Sequence, residues 1–325
     1  MSTSIERPAP AERRHDWLRN LLTRAAGGKP IVTAVAHPCD SVAVQAAAEA
    51  EAAGLIIPIL VGPEAKITAT ASASGVDLSR IRLVSAPHSH AAADAAVGLV
   101  RAGEARMLMK GSLHSDELLH AVLAPEAGLR TERRLSHAYV MDVPTYPHPL
   151  VITDAAVNIA PDLDAKRDIV QNAIDLAHAM GNPRPLVAIL SAVETVTAKI
   201  PSTLHAAALC KMADRGQITG GVLDGPLAFD NAISLEAAAE KGIVSPVAGK
   251  ADILVVPDLE AGNMLAKQLT FLAGADAAGV VLGARVPIIL TSRADSERTR
   301  IASCAVAVLM ARAQQDALAA SMAGA

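Results

Sequence analysis

This chain of 325 residues has few aromatic residues and little net charge. Phe, Trp and Tyr together account for 2% of the residues, whereas hydrophobic residues account for 51%. The core is therefore expected to be aliphatic, and the few rings cannot form the stacking surface on which proteins bind single-stranded nucleic acids. The 29 basic and 33 acidic residues leave a net charge of −4, which gives no broad basic surface for duplex DNA or an anionic membrane.

Cysteine pairs and long apolar runs are missing as well. The three cysteines, Cys39, Cys210 and Cys304, are far apart and form no CxxC pair, so neither a disulfide framework nor a thiolate metal site is expected. The N-terminal segment is polar and charged, unlike a secretory signal. Arg285 interrupts the longest apolar run, residues 277–290, which falls short of the roughly 18 residues of a membrane span. These features predict a cytoplasmic protein that binds no metal, nucleic acid or membrane.

Short β-branched apolar runs alternate with Ala-rich stretches along most of the chain. The runs predict strands at residues 31–36, 55–61, 82–85, 107–109, 150–153, 186–190, 218–223, 253–256, 279–282 and 287–290. The other stretches predict helices at residues 41–53, 91–102, 115–123, 164–179, 203–214, 234–241, 261–271 and 296–314. Strand, helix and strand in sequence indicate right-handed βαβ units. The predicted fold class is therefore α/β with largely parallel sheets.

A basic, aromatic and Pro-rich stretch at residues 128–149 interrupts this pattern. Alternation across residues 135–143 predicts an antiparallel strand at a domain edge. The prolines at residues 147–149 indicate the first crossing between two domains. We expect the second domain to begin there and to end near residues 282–286.

The turn at residues 291–296 follows an apolar strand and precedes the last predicted helix. In parallel α/β sheets, ligands bind beyond the carboxyl ends of strands, where loops lead into helix N-termini. Ser292 could cap the helix, with Asp295 completing a pair like a capping box. Alternatively, backbone N–H groups, Ser292 and the Arg293 guanidinium surround a developing anion, and Asp295 accepts a proton. Capping does not explain an arginine at this place, and the sequence leaves both interpretations open.

Three further polar turns lie at predicted strand ends, at residues 153–161, 223–227 and 257–263. Their candidate binding residues are Asp154, Asn158, Asp224, Gly262 and Asn263. Ordinary turns and helix starts would use the same residue types. A purely structural role therefore stays open for each of these residues. At Gly262 the missing side chain allows a ligand or another backbone to approach closely.

Basic residues cluster at Arg130, Arg133 and Arg134, and Lys110 ends another predicted strand. Arginine forks bind phosphate in a bidentate way, although such a cluster is more often a solvated surface. The chain contains no HExxH, Walker loop or GxSxG motif. A GxGxxG motif is also missing, which argues against an ordinary Rossmann dehydrogenase. A cleft rich in Ser, Arg, Asn and Asp handles anions and needs no metal.

At these turns the chain resembles the phosphate acetyltransferase/phosphate butyryltransferase family. The motifs that carry the resemblance are VITDAAVNIAPDL (151–163), LSAVETV (190–196), KMADRGQI (211–218), VLDGPLAFDNAIS (222–234), PDLEAGNMLAKQL (257–269) and LTSRADSE (290–297). Residues 109–123 and 128–142 look more like the butyryl-type branch than the acetyl-type branch.

The resemblance implies reversible transfer of a short acyl group, acetyl or butyryl, between CoA and inorganic phosphate. It also implies a fold shared with isocitrate and isopropylmalate dehydrogenases, in which two α/β domains enclose a cleft. The last strand and helix then return to the first domain, so that residues 1–148 and 284–325 form one domain and residues 149–283 the other. The family is usually homodimeric, and its CoA and phosphate are substrates rather than bound cofactors.

On this basis we hypothesise roles for the candidate residues. Ser292 and Arg293 serve the thiol and the carbonyl, with Asp295 as the base. Substrate is held by Lys110, Arg130, Arg134, Asp154, Asn158, Asp224, Gly262 and Asn263. Acetyl-type members carry a carboxylate further downstream, but Thr299 stands seven residues after Ser292, which puts the base in doubt. Two alternatives stay open: a metal-dependent decarboxylating dehydrogenase of the same fold, and a non-catalytic protein that binds CoA or acyl phosphate.

Overall fold

The computed structural model describes residues 16–290 and 295–323. The strands are β1 (Ile31–Ala36), β2 (Ile56–Gly62), β3 (Arg82–Ser85), β4 (Met107–Lys110), β5 (Ser136–Asp142), β6 (Leu150–Thr153), β7 (Leu186–Leu190), β8 (Val222–Leu227), β9 (Ile253–Val255), β10 (Asp276–Leu282) and β11 (Ile288–Ile289). The helices are α1 (Asp16–Ala26), α2 (Ser41–Ala52), α3 (Glu64–Ala73), α4 (Ser89–Arg101), α5 (Ser115–Leu123), α6 (Leu163–Ala179), α7 (Pro201–Asp214), α8 (Phe229–Ile233), α9 (Leu235–Glu240), α10 (Leu259–Leu272) and α11 (Glu297–Ala323).

The strands form a single sheet in the order β3-β2-β1-β4-β11-β10-β5-β6-β9-β7-β8. Pairing is parallel on both flanks, for example between β1 and β4 and between β6 and β9. It is antiparallel only around the centre of the described sheet, where β10 pairs with β11 and β5, and β5 pairs with β6. The predicted α/β class with a mostly parallel sheet is confirmed.

Strand β5 is antiparallel, as the alternation across residues 135–143 predicts. It lies inside the sheet, because it is hydrogen-bonded to β10 on one side and to β6 on the other. Alternate residues of β5 therefore face opposite covering layers: Ala138 and Val140 pack into one core and Met141 into another.

The hydrophobic core is continuous on one face of the sheet and divided on the other. On the first face, one cluster joins residues from α1, α2, α6, α7 and α11 to strands of both flanks. On the second face, one cluster lies under α4 and α5, and a separate cluster lies under α8, α9 and α10. The boundary between these two clusters falls across β5 and β10, where Leu135 and Val281 belong to the former and Met141 and Ala277 to the latter.

The largest displacement from the predicted elements is at β8. The apolar run predicts a strand over residues 218–223, but the strand begins at Val222 and continues through the turn-like residues 224–226. Gly220 has a φ of +84°, which ends the preceding segment, although Ile218 is buried. A Cβ on Gly225 would lie 2.6 Å from the carbonyl oxygen of Ile189. Glycine at 225 therefore lets β8 approach β7 closely, and this tertiary contact overrides the turn signal.

Candidate active site

The turn after β6 is organised by a buried carboxylate. Asp154 is 2% exposed, and its Oδ1 accepts hydrogen bonds from the backbone N–H groups of Ala156 (2.9 Å) and Val157 (3.0 Å). Its Oδ2 accepts from the backbone N–H of Asn158 at 3.2 Å and from the Asn158 side-chain amide at 2.5 Å. A buried carboxylate with this many donors is satisfied and holds the turn in one conformation.

Asn158 connects this turn to the basic segment before β5. Its side-chain nitrogen also donates to the carbonyl oxygen of Leu135 at 2.8 Å, and its Oδ1 accepts from Nε of Arg134 at 2.5 Å. The Arg134 backbone is fixed independently, because its N–H donates to Asp168 at 3.0 Å and its carbonyl accepts from Asn172 at 3.0 Å. The structure thus joins three of the predicted substrate-binding residues in one hydrogen-bonded network.

A cavity of about 500 Å³ opens beside this network. It is lined by Leu123, Arg130, Thr131, Glu132, Arg133, Arg134, Leu135, Val157, Asn158, Asp162, Asp164, Ala165 and Asp168. Arg133 pairs with Asp175 across 2.5 Å, whereas Arg130 and Arg134 are exposed residues that line the cavity. Guanidinium groups in a concave surface at strand ends are suited to an anionic ligand.

Helix α10 packs directly onto the Asp154 turn. A Cβ on Gly262 would lie 2.6 Å from the carbonyl oxygen of Asp154 and 3.0 Å from Cα of Ala155. The side chain of Asn263 donates to the carbonyl oxygen of Ala155 at 3.3 Å. Glycine and asparagine at these positions therefore bring the helix against the turn. Asp258 caps the helix by accepting from the backbone N–H of Ala261 at 2.9 Å. This residue therefore has the structural role of a helix start.

Two predicted residues lie elsewhere. Lys110 ends β4, and its Nζ donates to the carbonyl oxygen of Leu113 at 3.4 Å, outside the lining of the cavity. Asp224 lies in β8, at the outer edge of the sheet, and β9 and β7 separate it from β6. Its Oδ1 accepts from the backbone N–H of Gly225 at 2.8 Å. The structure does not bring Asp224 to the Asp154 turn, because β8 pairs on the far side of β7.

The turn before α11 is described only from Asp295 onward. Ser292 and Arg293 lie outside the described residues. The Ser296 hydroxyl accepts from the backbone N–H of Thr299 at 3.1 Å, so Ser296 has the position of the N-cap of α11. Arg300 donates to the carbonyl oxygen of Asp295 at 2.8 Å, and its other terminal nitrogen lies 3.4 Å from Glu49 in α2.

Two residues that the sequence analysis does not single out, His137 and Tyr139, lie in β5 beside β6. Both side chains lie on the face of β5 where the cluster under α4 and α5 adjoins the cluster under α8, α9 and α10. Their rings pack edge to face, with centroids 4.4 Å apart. Burial lowers the pKa of His137 to about 4, although the charge of Asp154 opposes this shift. Burial, and then the charge of Asp295, raises the pKa of Tyr139.

Burial of His137 makes the free energy of unfolding fall in mildly acidic solution. Its pKa in the folded protein lies below the ordinary value of 6.5, so the unfolded chain takes up a proton that the folded chain excludes. The stabilisation is present above pH 6.5 and is lost as the pH falls toward 4. We expect the free energy of unfolding to fall by about 2 kcal/mol between pH 7 and pH 5 from this group alone.

Urea denaturation at several pH values measures this effect. His137→Asn is expected to flatten the dependence, whereas His120→Gln, a change at an exposed histidine of α5, leaves it as in the wild type. An equally steep loss of stability in His137→Asn would show that other groups cause it.

Within the described ranges, no group of three or more His, Cys, Asp or Glu side chains is placed to hold a metal ion. In the same part of the chain, no helix has both the length and the apolar character needed to cross a membrane.

Comparison with known proteins identifies the family. The phosphate acetyl/butaryl transferase family model matches residues 90–308. The chain is 68% identical to a phosphate acetyltransferase of Rhizobium meliloti over 91% of its own length and 94% of that protein. It is 44% identical to a phosphate butyryltransferase of Clostridium acetobutylicum over 87% of its length and 93% of that protein.

A solved structure agrees with these sequence matches. The branched-chain phosphotransacylase of Enterococcus faecalis superimposes with a TM-score of 0.76 at 31% identity, covering 86% of this chain and 99% of that one. Over the whole chain, the identity to the acetyltransferase (68%) is higher than the identity to the butyryltransferase (44%). The likeness to the butyryl-type branch is therefore local. The predicted resemblance is confirmed, and the chain belongs to the phosphate acetyl/butaryl transferase family of acyltransferases.

Proposed function

We propose that this protein transfers a short acyl group reversibly between CoA and inorganic phosphate. The observation that carries the proposal is the network of Asp154, Asn158 and Arg134 beside a cavity that arginines line. Such a network presents a fixed cationic group to an anion without a metal. Family membership supplies the reaction class, and the cavity supplies a place for phosphate.

In the direction that forms acyl phosphate, a phosphate oxygen attacks the thioester carbon. The carbon–sulfur bond then breaks, and CoA leaves as a thiolate that takes up a proton. Negative charge gathers on the carbonyl oxygen and on the sulfur, and donors fixed in advance stabilise it. We assign the Arg293 guanidinium and the Ser292 hydroxyl to these atoms. Asp295 is the assigned base in the reverse direction, in which the CoA thiol must lose its proton before it attacks.

Phosphate is assigned to Arg130 and Arg134, which line the cavity, whereas Lys110 lies outside its lining. Asn158 fixes the direction of the Arg134 side chain through its 2.5 Å contact with Nε. The terminal nitrogens of that guanidinium are the groups that a phosphate would meet. Asp154 and Gly262 then act by positioning: the first holds the turn, and the second lets α10 support it.

We further propose the arrangement of the whole molecule. Residues 1–148 with 284–325 form one α/β domain and residues 149–283 the other, as in isocitrate and isopropylmalate dehydrogenases. The division of the core on one face of the sheet supports this, since each cluster lies within one proposed domain's helices. The protein acts in the cytoplasm as a homodimer without a resident cofactor, and sedimentation of the purified protein tests the dimer.

The cysteines support direct transfer rather than an acyl-enzyme. Burial raises the pKa of both Cys210 and Cys304 to about 12 and raises that of Cys39 as well. Each thiol therefore stays protonated at neutral pH, and a protonated thiol is a poor nucleophile. We expect single replacement of each cysteine by alanine to change kcat by less than about threefold when measured on folded protein. Loss of turnover in one variant, together with acyl label on that cysteine in the wild type, would contradict direct transfer.

The decisive experiment is release of free thiol from acyl-CoA in the presence of phosphate. A series of saturated thioesters from acetyl-CoA to hexanoyl-CoA is offered to the purified chain, and acyl phosphate is trapped as its hydroxamate. The proposal requires thiol and hydroxamate in equal amounts and no thiol without phosphate. Calorimetric binding of CoA without any thiol release would instead identify a protein that binds CoA but does not turn it over.

A further inference from the structure

Helix α6 holds both backbone groups of Arg134. The backbone N–H of Arg134 donates to Oδ2 of Asp168 at 3.0 Å, and its carbonyl oxygen accepts from the side-chain amide of Asn172 at 3.0 Å. Asp168 and Asn172 are four residues apart in α6 and therefore lie on the same face of the helix. One helix face thus fixes the donor and the acceptor of a single residue in the basic segment before β5.

The amide of Asn172 is buried for this contact. Asn172 is 3% exposed and lies among buried apolar residues of the helix, such as Ala173 and Ile174. Asparagine favours a helix less than alanine does, and a buried amide costs free energy unless it is hydrogen-bonded. The amide nitrogen also donates to the hydroxyl of Ser136 at 2.9 Å. Its two acceptors therefore both lie in the chain that leads from the basic segment into β5.

A glycine leaves room for the contact. Gly283, which follows β10, has a φ of +86°. A Cβ there would meet the carbonyl oxygen of Arg134 and would lie 3.0 Å from Nδ2 of Asn172. A side chain at position 283 would therefore push into the hydrogen bond. The contact is built by tertiary packing, because it needs α6, the basic segment and the end of β10 together.

The side chain of Arg134 is held at a different point. Its Nε donates to Asn158 at 2.5 Å, and among the described residues no acceptor is bonded to its two terminal nitrogens. Arg134 and Asp168 both line the cavity of about 500 Å³ to which phosphate is assigned. Oδ1 of Asp168 accepts from Nε and Nη2 of Arg167 at 3.2 and 3.0 Å. The negative charge of Asp168 is therefore compensated where it lies beside an anion site.

We infer that Asp168 and Asn172 are positioning residues of the phosphate site. They fix the Arg134 backbone, Asn158 fixes Nε, and the terminal nitrogens are then held ready for the phosphate oxygens. This inference rests on the proposed acyltransferase function and its assignment of phosphate to Arg134. Without the two backbone hydrogen bonds, the segment has to be ordered when phosphate binds, and that cost weakens binding. The loss raises KM for phosphate more than it lowers kcat, because Arg134 contacts phosphate before and during the reaction.

The test varies phosphate and acetyl-CoA in turn and measures thiol release. Asn172→Leu keeps a branched side chain but removes the amide. KM for phosphate is expected to rise roughly tenfold, because the hydrogen bond is lost and the Arg134 carbonyl is left without this partner. Both kcat and KM for acetyl-CoA should stay within about threefold of the wild type.

Two variants at position 168 give an independent test. Asp168→Ala is expected to raise KM for phosphate several-fold, whereas Asp168→Asn keeps an oxygen that can accept from the Arg134 N–H and is expected to recover most of this loss. Both changes remove the same charge, so the difference between them reports the hydrogen bond.

Gln171→Leu is the matched control. Gln171 precedes Asn172 in α6, but its amide bonds Asp175 and Thr219 instead, so the variant is expected to lose stability and keep the wild-type KM for phosphate. If Asn172→Leu does not fold, the variants at position 168 carry the test. An active wild type whose KM for phosphate is unchanged in Asn172→Leu and Asp168→Ala overturns the inference alone, and so does a loss confined to kcat. A wild type that releases no thiol from any acyl-CoA overturns the proposed function itself.

Discussion

Replacing Arg293 with alanine is expected to lower kcat for acyl transfer by about 10²- to 10³-fold, which is the usual cost of removing one donor from a developing oxyanion. The thioester carbonyl oxygen gains charge as phosphate attacks, and the guanidinium is the strongest donor in the turn assigned to it. KM for acyl-CoA should change much less, because the interaction forms mainly in the transition state.

Arg285→Ala is the matched control for this loss. Arg285 is an exposed arginine in the segment between β10 and β11, and only its backbone N–H has a described bond, to the carbonyl oxygen of Leu129. Both variants are compared with the wild type by thiol release and by thermal unfolding. A kcat of Arg293→Ala within about tenfold of the wild type would remove Arg293 from the assigned chemistry.

The regular part of the fold could be predicted from the sequence because local pattern and tertiary environment agree there. Strands such as β7 and β9 are continuous apolar runs, and helices such as α6 begin at an Asp N-cap that accepts from Ala165 at 2.8 Å. Helix α3 was missed, because it is rich in Ala, Thr and Ser and buries only Ile67 and Ala71. A helix that buries so few side chains has only weak hydrophobic periodicity in its sequence.

The candidate site was predictable to the extent that it lies at strand ends. Asp154 and Asn158 directly follow an apolar strand, and Gly262 lies in the first turns of a helix after another. Parallel strands bring such positions to one edge of a sheet. Arg134 joined them through a hydrogen bond to Asn158, a contact that spacing in the sequence does not specify.

His137 and Tyr139 could not be found in this way. They lie within a strand, and their neighbours are set by the pairing of β5 with β10, which is far along the chain. The sequence did contain a signal, since two polar or aromatic residues alternate with buried alanine and valine in a central strand. That signal predicts that one face of the strand is not packed against an ordinary apolar layer. It does not identify the residues that this face contacts.

Gly262→Ala is expected to have the second large effect, because the new methyl group would meet backbone rather than a movable side chain. The Cβ would lie 2.6 Å from the carbonyl oxygen of Asp154 and 3.0 Å from Cα of Ala155. Either α10 or the Asp154 turn must move, which costs about 1–3 kcal/mol of stability. The turn also holds Asn158 and through it Arg134, and a displacement of about 1 Å in positioning groups can cost about 10²-fold in rate.

We therefore expect Gly262→Ala to lose about 10²-fold in kcat/KM for phosphate, even at temperatures at which it is fully folded. Gly98→Ala is the matched control: Gly98 is an exposed residue within α4, and a Cβ there would meet nothing within 4 Å. That change should stabilise the protein by about 0.5–1 kcal/mol and leave turnover unchanged, since alanine favours a helix over glycine. Urea denaturation and thiol release on both variants separate the two effects. If Gly262→Ala is destabilised but keeps wild-type kcat/KM, the close approach of α10 supports the fold and does not position the phosphate site.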